Sequence, residues 1–337
     1  MSNQIEFLNR GSLAFKNKQL VSIVAPVYNE ESVINELLAR IKETVSPLEN
    51  EYDFEFIFVD DGSRDSTLKV AKLLLSSEPR LRLIELRRNY GQTAALQAAL
   101  DQAKGDIIIS MDADLQHFPE EIPQFLEKIE EGYDVVCGWR YERQEGIIRR
   151  WPSRIANMLI RRISRLKIHD IGTTYRAYKA EIIRDVRLLG ENHRFVPVFA
   201  QMAGAKITEI KIQNIKRPQG KSNYGISRTF DVFLDLFFLY FFTRYFDRPI
   251  RIFGKIAIGL TFLGGVIGIV LLAISFTTGV PTVREYSGWF LLSLFLFIAG
   301  IQMVLIGILA EVLARIYFSS ENRTTYKIRQ EWTSSDL

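Results

Sequence analysis

Two long uncharged stretches near the C-terminus constrain this chain more than any other feature. Residues 256–277, IAIGLTFLGGVIGIVLLAISFT, and residues 290–310, FLLSLFLFIAGIQMVLIGILA, carry no charged side chain. As a helix the first would be roughly 33 Å long, enough to cross the hydrocarbon of a bilayer. A pair of buried core helices is the alternative, but core helices rarely stay uncharged on every face over such a length. The connector between them, TGVPTVREYSGW, holds one Arg and one Glu. Outside the pair lie Arg244, Arg248, Arg251 and Lys255 on one side, and Arg315, Arg323, Lys327 and Arg329 on the other. The positive-inside rule then places the large N-terminal part and the short tail together on the cytoplasmic face of an inner membrane.

The rest of the 337 residues reads as an ordinary charged globular mixture, with the apolar excess concentrated after Phe230. A formal net charge of +4 is too small to point to nucleic acid. Basic residues do gather around 140–167 and 206–255, which suits an anionic partner or an anionic membrane surface. The single cysteine, Cys137, excludes an internal disulfide and fits a reducing compartment. The first residues, MSNQIEFLNRGSLAFKNKQL, contain no apolar core of signal-peptide length. Between the globular part and the spans, SRTFDVFLDLFFLYFFTRYFDRP is rich in Phe and Leu yet interrupted by Asp231, Asp235, Arg244 and Asp247. That pattern predicts an amphipathic helix lying in the membrane interface, or else one packed under the globular domain. The expected organisation is an extension over 1–20, an α/β domain over 21–225, a juxtamembrane helix over 226–249, a two-helix membrane domain over 250–314 and a tail over 315–337.

Within the α/β domain, apolar β-branched runs alternate with helical spacing. LVSIVAPVYN, FEFIFVDDGS, LRLIELRRN and GDIIISMDAD read as strands. EESVINELLARIKETV, DSTLKVAKLLL and GQTAALQAALDQA read as the intervening helices. This order implies a mainly parallel sheet with helices on both faces. In such sheets ligands bind beyond the carboxyl ends of the strands. Polar groups stand at each of those ends: Asn29 and Glu30, Asp60 and Asp61, Arg88 and Asn89, Asp112 and Asp114. Neither a G-x-G-x-x-G fingerprint nor a G-x-x-x-x-G-K-[ST] loop is present, so any phosphate must be met by a metal or by Arg and Lys. The D-x-D of Asp112 and Asp114, with an amide oxygen at Gln116, offers hard oxygen ligands suited to Mg²⁺ or Mn²⁺.

VAPVYNEE, VDDGSRDST, RRNYGQTAAL and MDADLQHFPEEIP, in this order, resemble the successive signatures of inverting family-2 glycosyltransferases with the GT-A fold. More narrowly they resemble the polyprenyl-phosphate glycosyltransferases, a group that includes dolichol-phosphate mannose synthase and bacterial undecaprenyl-phosphate glucosyltransferases. The resemblance covers roughly residues 20–225, and the two spans match the second branch. It implies that Pro26, Tyr28, Glu30, Asp60, Asp61 and Arg88 line the nucleotide pocket, with Asp61 near the base or ribose. It implies that Asp112, Asp114 and Gln116 hold the divalent cation and through it the donor diphosphate. Arg140 and Arg154 fall where the family places arginines for the acceptor lipid phosphate. RPQGKSNYG resembles the family's basic segment, with Gly220, Lys221 and Ser222 in a different order, and implicates Arg217 and Lys221. HDIGTTYRAYKAE matches a segment that contributes Asp170 and Arg176.

The implied reaction is attack of a lipid phosphate oxygen on a sugar's anomeric carbon, with glucose from UDP-glucose passing to undecaprenyl phosphate. Mannose from GDP-mannose or an aminosugar is the alternative donor. A phosphomonoester is largely ionised at neutral pH, so no strong base is required and Asp170 is open between a base, a substrate contact and an ion pair. A processive polysaccharide synthase would need more spans and a Q-x-x-R-W motif, and here Gln144 stands too far from Arg150 and Trp151. A non-catalytic translocator would have little room for a sugar between two helices. His169 and His193 lack metal-ligand spacing and read as structural, Cys137 reads as core, and His117 is open between packing and a role beside the site. A small homo-oligomer packed through the spans is compatible with the pattern, although no feature requires it.

Overall fold

The computed structural model describes residues 18–141, 166–188, 192–213, 240–241, 244–245, 248–319 and 324–336. The juxtamembrane helix expected over 226–249 lies almost wholly outside the described residues, as do Arg154, Arg217 and Lys221. The chain divides into two compact units: residues 1–225 with 324–337, and residues 226–323.

The first unit is built on an eight-stranded sheet. Its strands are β1 (Gln19–Val27), β2 (Tyr52–Asp60), β3 (Leu81–Leu86), β4 (Ile107–Ser110), β5 (Val135–Arg140), β6 (Arg176–Lys179), β7 (Ile207–Ile212) and β8 (Ile328–Trp332). They lie in the order β7-β5-β6-β4-β1-β2-β3-β8. β1 pairs in parallel with both β2 and β4, and β2 in parallel with β3. β6 runs antiparallel between β4 and β5, and β8 antiparallel along β3. The central strands are continuous apolar runs because both faces are covered, and a parallel sheet has no wet side. β1 is buried from Val21 to Ala25, and β2 from Phe54 to Asp60.

Helices α1 (Ile34–Val45), α2 (Thr67–Leu75), α3 (Gln92–Gln102) and α4 (Ile122–Glu130) follow the first four strands. α1 turns Ile34, Leu37, Leu38, Ile41 and Val45 inward, the stripe its spacing predicts. α3 is different: from Thr93 to Leu100 every residue is buried, and its alanines allow an approach on all sides. α4 sends Phe125, fully buried, against the Tyr175 ring at 4.5 Å between centroids.

The parallel α/β core thus follows the sequence expectation, and the antiparallel strands extend it. The segment expected as a cytoplasmic tail over 315–337 contains β8, which forms the edge strand beside β3.

The second unit is a helical hairpin. Ile250–Thr278 and Ser287–Ser319 form long helices of 29 and 33 residues, separated by the short helix Thr282–Glu285. They are candidate membrane spans: only 17% and 11% of their most apolar windows are buried inside the described structure, which argues against core helices. Small residues bring the two backbones together. A Cβ on Gly264 would come within 2.9 Å of the Ser293 carbonyl oxygen, and Ser293 Oγ donates to the Gly264 carbonyl at 2.7 Å.

Truncating Phe125 to Ala should leave a cavity under Tyr175 and cost about 3–5 kcal/mol. Denaturant melts of the purified chain, followed by near-ultraviolet circular dichroism, measure this loss.

Candidate active site

The polar groups at the strand ends are joined by a network of main-chain hydrogen bonds. After β1 the chain turns at Asn29, whose φ of 56° lies in the left-handed region that Asn tolerates. The Asn29 N–H donates to Ser63 Oγ at 3.0 Å, and Asn29 Oδ1 accepts from the Arg64 N–H at 2.8 Å. The Glu30 N–H donates to Thr67 Oγ1 at 2.8 Å, and Glu31 accepts from the Ser66 N–H at 2.7 Å. The β1 and β2 tips are therefore one stitched surface. Pro26 is half-buried on it and Tyr28 is exposed.

Asp60 and Asp61 sit at the end of β2 with relative exposures of 2% and 3%. Asp61 Oδ1 accepts from the Tyr90 N–H at 2.7 Å and Oδ2 from the Gly91 N–H at 2.9 Å. The carboxylate thereby fastens the loop between β3 and α3. Burial pushes both carboxyls up from their ordinary range; Ser63 opposes this at Asp60, and the two amide donors oppose it at Asp61. Gly62, at φ 70°, passes under the same loop, where a Cβ would meet the Arg88 carbonyl carbon at 2.7 Å. Arg88 is exposed and folds back over the Tyr90 ring, 4.1 Å from its centroid.

That loop leads into α3, whose first residue reaches the D-x-D. Gln92 Nε2 donates to Asp112 Oδ1 at 2.7 Å. Asp114 Oδ1 accepts from the Gln116 N–H at 3.1 Å, across Leu115 at φ 56°. Asp112, Asp114 and Gln116 are all half-buried. Among the described residues no group of three or more His, Cys, Asp or Glu side chains is placed to hold a metal by itself. The donor set still fits Mg²⁺ or Mn²⁺: two carboxylates and one amide, on a turn open to solvent, leave coordination positions for substrate oxygens.

The second half of the site comes from β5 and the segment before β6. Arg140 Nε and Nη2 donate to Asp170 Oδ2 and Oδ1 at 2.7 and 3.0 Å, a two-pronged ion pair with Asp170 3% exposed. The Gly172 N–H adds a third donor at 3.1 Å. His117 links the halves. It is 2% exposed, stacks on Tyr175 at 5.4 Å, and places Nδ1 3.8 Å from Asp112 Oδ2. Burial lowers its pKa, Asp112 opposes this, Arg140 lowers it further, and Asp114 and Asp170 also oppose.

Other polar residues have structural settings. Arg176 is fully buried, and its guanidinium donates to the carbonyls of Ile171, His193 and Arg194. His193 is bonded to Thr93 Oγ1 at 2.7 Å, and burial holds its pKa at about 4. His169 pairs with Glu209 and stacks on Trp139. Cys137 is fully buried, and burial pushes its thiol up to about 12. Two side chains were not singled out in the sequence. Gln92 carries no charge to mark it. Glu121, in the run PEEIP, looks like an ordinary helix-start acid, yet it is 7% exposed. Its Oε1 accepts from the Gln213 N–H at 2.6 Å, and its Oε2 is buried with no hydrogen-bond partner among the described residues.

A family model described as Glycosyl transferase family 2 matches residues 22–187. A dodecaprenyl-phosphate galacturonate synthase of Rhizobium johnstonii is 39% identical over 315 residues, covering 92% of each chain. An undecaprenyl-phosphate 4-deoxy-4-formamido-L-arabinose transferase of Pseudomonas aeruginosa is 36% identical, over 92% of this chain and 90% of that one. Among solved structures, glucosyl-3-phosphoglycerate synthase from Mycobacterium tuberculosis, in complex with Mn²⁺, UDP and phosphoglyceric acid, aligns with a TM-score of 0.50 at 17% identity. It covers 67% of this chain and 78% of that one, and shares the fold.

Burial pushes the Glu121 carboxyl up to about 7. The folded protein keeps that proton at pH values where the unfolded chain has lost it. The associated stability is complete below the ordinary carboxylate pKa and is lost as pH rises to about 7. Glu121→Gln should flatten this decline and make the protein more stable than wild type at pH 8, as read from denaturation midpoints across pH.

Proposed function

The chain belongs to glycosyl transferase family 2, among its polyprenyl-phosphate glycosyltransferases, and from that premise we propose that it transfers a sugar from a nucleoside diphosphate to undecaprenyl phosphate at the cytoplasmic membrane face. The observation that carries the reading is that the D-x-D turn after β4, with Asp112 held by Gln92, and the Arg140–Asp170 fork at the end of β5 stand on the same edge of the sheet, since both strands run antiparallel to β6. Carboxylates suited to a cation and an arginine suited to a phosphate are what two anionic substrates require.

Donor binding is assigned to the surface formed by Pro26, Tyr28, Glu30, Asp60, Asp61 and Arg88. Within it, Asp61 shapes the pocket by fastening the loop over Gly62. Asp112 and Asp114, with Gln116, would hold a divalent cation, which supplies positive charge against the departing nucleoside diphosphate. Arg140 faces the acceptor phosphate, and Asp170 holds its guanidinium in a fixed plane. With both oxygens accepting from Arg140, Asp170 is assigned the role of an orienting group, and no base is assigned. None is needed: the lipid phosphate oxygen is already ionised when it attacks the anomeric carbon, and the bond to the diphosphate oxygen breaks. Arg154, Arg217 and Lys221 are assigned to the acceptor phosphate from the family resemblance alone.

Glucose from UDP-glucose was the sequence expectation. By their names the two curated relatives handle galacturonate and 4-deoxy-4-formamido-L-arabinose, which favours an oxidised or amino-modified sugar. Purified protein with Mg²⁺ or Mn²⁺ and undecaprenyl phosphate, given UDP-glucose, UDP-galacturonate, the formamido-arabinose nucleotide and GDP-mannose in turn, should form a glycosyl phospholipid with one of them. Asp114→Ala should lower that turnover by about 10²-fold or more while leaving the circular dichroism spectrum unchanged. Full activity in the variant, or no product with any donor, would count against the assignment.

The chain leaves the sheet-containing unit after Gly225 and rejoins it at Thr324, which supports a hairpin that crosses the membrane twice. A reporter fused after Leu337 should give a cytoplasmic signal; an extracytoplasmic signal would overturn the two-span reading.

A further inference from the structure

The tail strand β8 does more than cover a sheet edge. Its regular ladder with β3 shifts register between Glu85 and Leu86, just before the loop that Asp61 fastens. Beyond that shift the tail continues to hold the chain. The Arg87 N–H donates to the Lys327 carbonyl at 3.0 Å, and Arg329 Nη2 donates to the Arg87 carbonyl at 3.0 Å. Both main-chain polar groups of Arg87 are thus taken by the tail. The other prong of Arg329, Nη1, donates to Glu85 Oε1 at 2.9 Å, and Glu85 is 7% exposed. The tail has anchors of its own on either side. Tyr326, 5% exposed, donates to Asp101 Oδ2 on α3 at 2.9 Å. Lys72 lies 3.7 Å over the Trp332 ring, and Glu331 pairs with Arg82.

The loop from Arg87 to Gly91 is therefore held at both ends: at Tyr90 and Gly91 by Asp61, and at Arg87 by Arg329 and Lys327. We propose that Arg329 is a positioning residue for donor binding, setting the loop that carries Arg88 and leads through Gln92 to Asp112. This rests on the assignment of that loop to the nucleotide pocket. Arg329 touches no substrate. It acts by fixing the main chain of Arg87, so its effect falls on nucleotide affinity and not on the chemical step.

The test uses the full-length protein in detergent, with UDP and Mn²⁺ as the probe. Arg329→Gln should weaken UDP binding about fivefold to tenfold in calorimetry, the size expected for the net worth of one ordinary hydrogen bond. It should speed amide exchange at residues 87–91 and leave the apparent affinity for undecaprenyl phosphate unchanged. Arg329→Lys, which keeps the charge beside Glu85 but not the fork, should fall between. Unchanged UDP affinity with faster loop exchange would overturn the proposal, as would a parallel loss of both substrate affinities with a lowered melting temperature. Asp112→Asn, measured alongside, separates this from the underlying assignment. If Asp112→Asn weakens UDP binding and Arg329→Gln does not, only the role of Arg329 fails. If neither does, the nucleotide pocket itself is misplaced.

Discussion

The clasp between the Asp61 carboxylate and the amides of Tyr90 and Gly91 is the interaction on which the site depends. A carboxylate at 3% exposure is costly to ionise, and burial alone pushes its proton affinity upward. Two main-chain donors to the ionised form offset part of that cost, each worth about 1.5–3 kcal/mol. In return the end of β2 is tied to the entry of α3. Gly91 is the residue before that helix, Gln92 is its first, and Gln92 holds Asp112. Position thus passes from a buried acid on one strand to a half-buried acid on another without either touching the other.

The Arg140–Asp170 pair does the same for the opposite wall. Its partners come from β5 and from the segment before β6, and the fork of two short bonds leaves the guanidinium one orientation. His117 and Tyr175 form a stacked, buried pair beside Asp112, and Tyr175 is fixed by its hydroxyl to the Phe118 carbonyl at 3.0 Å.

Much of this was legible in the sequence because parallel strands buried on both faces leave unbroken apolar runs. The residue that ends such a run stands at the sheet's ligand-binding edge. Val27, Asp60, Leu86 and Ser110 end their strands within a few residues of the polar tips read from the chain. What escaped was set by tertiary contact. β6 has four residues, and β8, IRQEW, is polar and mostly exposed, so neither shows a period from which to read a strand. Glu121 looks like an ordinary first-turn acid until β7 delivers Gln213 against it. Asp170 is open in the sequence between a base, a substrate contact and an ion pair because its partner, Arg140, lies thirty residues earlier in the chain.

β8 also has a consequence for the order in which the protein is made. Arg82 and its tail partner Glu331 are separated by 249 positions, and both long apolar helices lie between them. During synthesis β3 emerges early with an uncovered edge, and the strand that covers it emerges only after both long helices. Non-local pairing of this kind is slow to form and leaves an open edge in the meantime. The sheet is therefore finished only after the hairpin has left the ribosome, so a chain cut short before residue 328 would lack both its edge strand and the hold on Arg87.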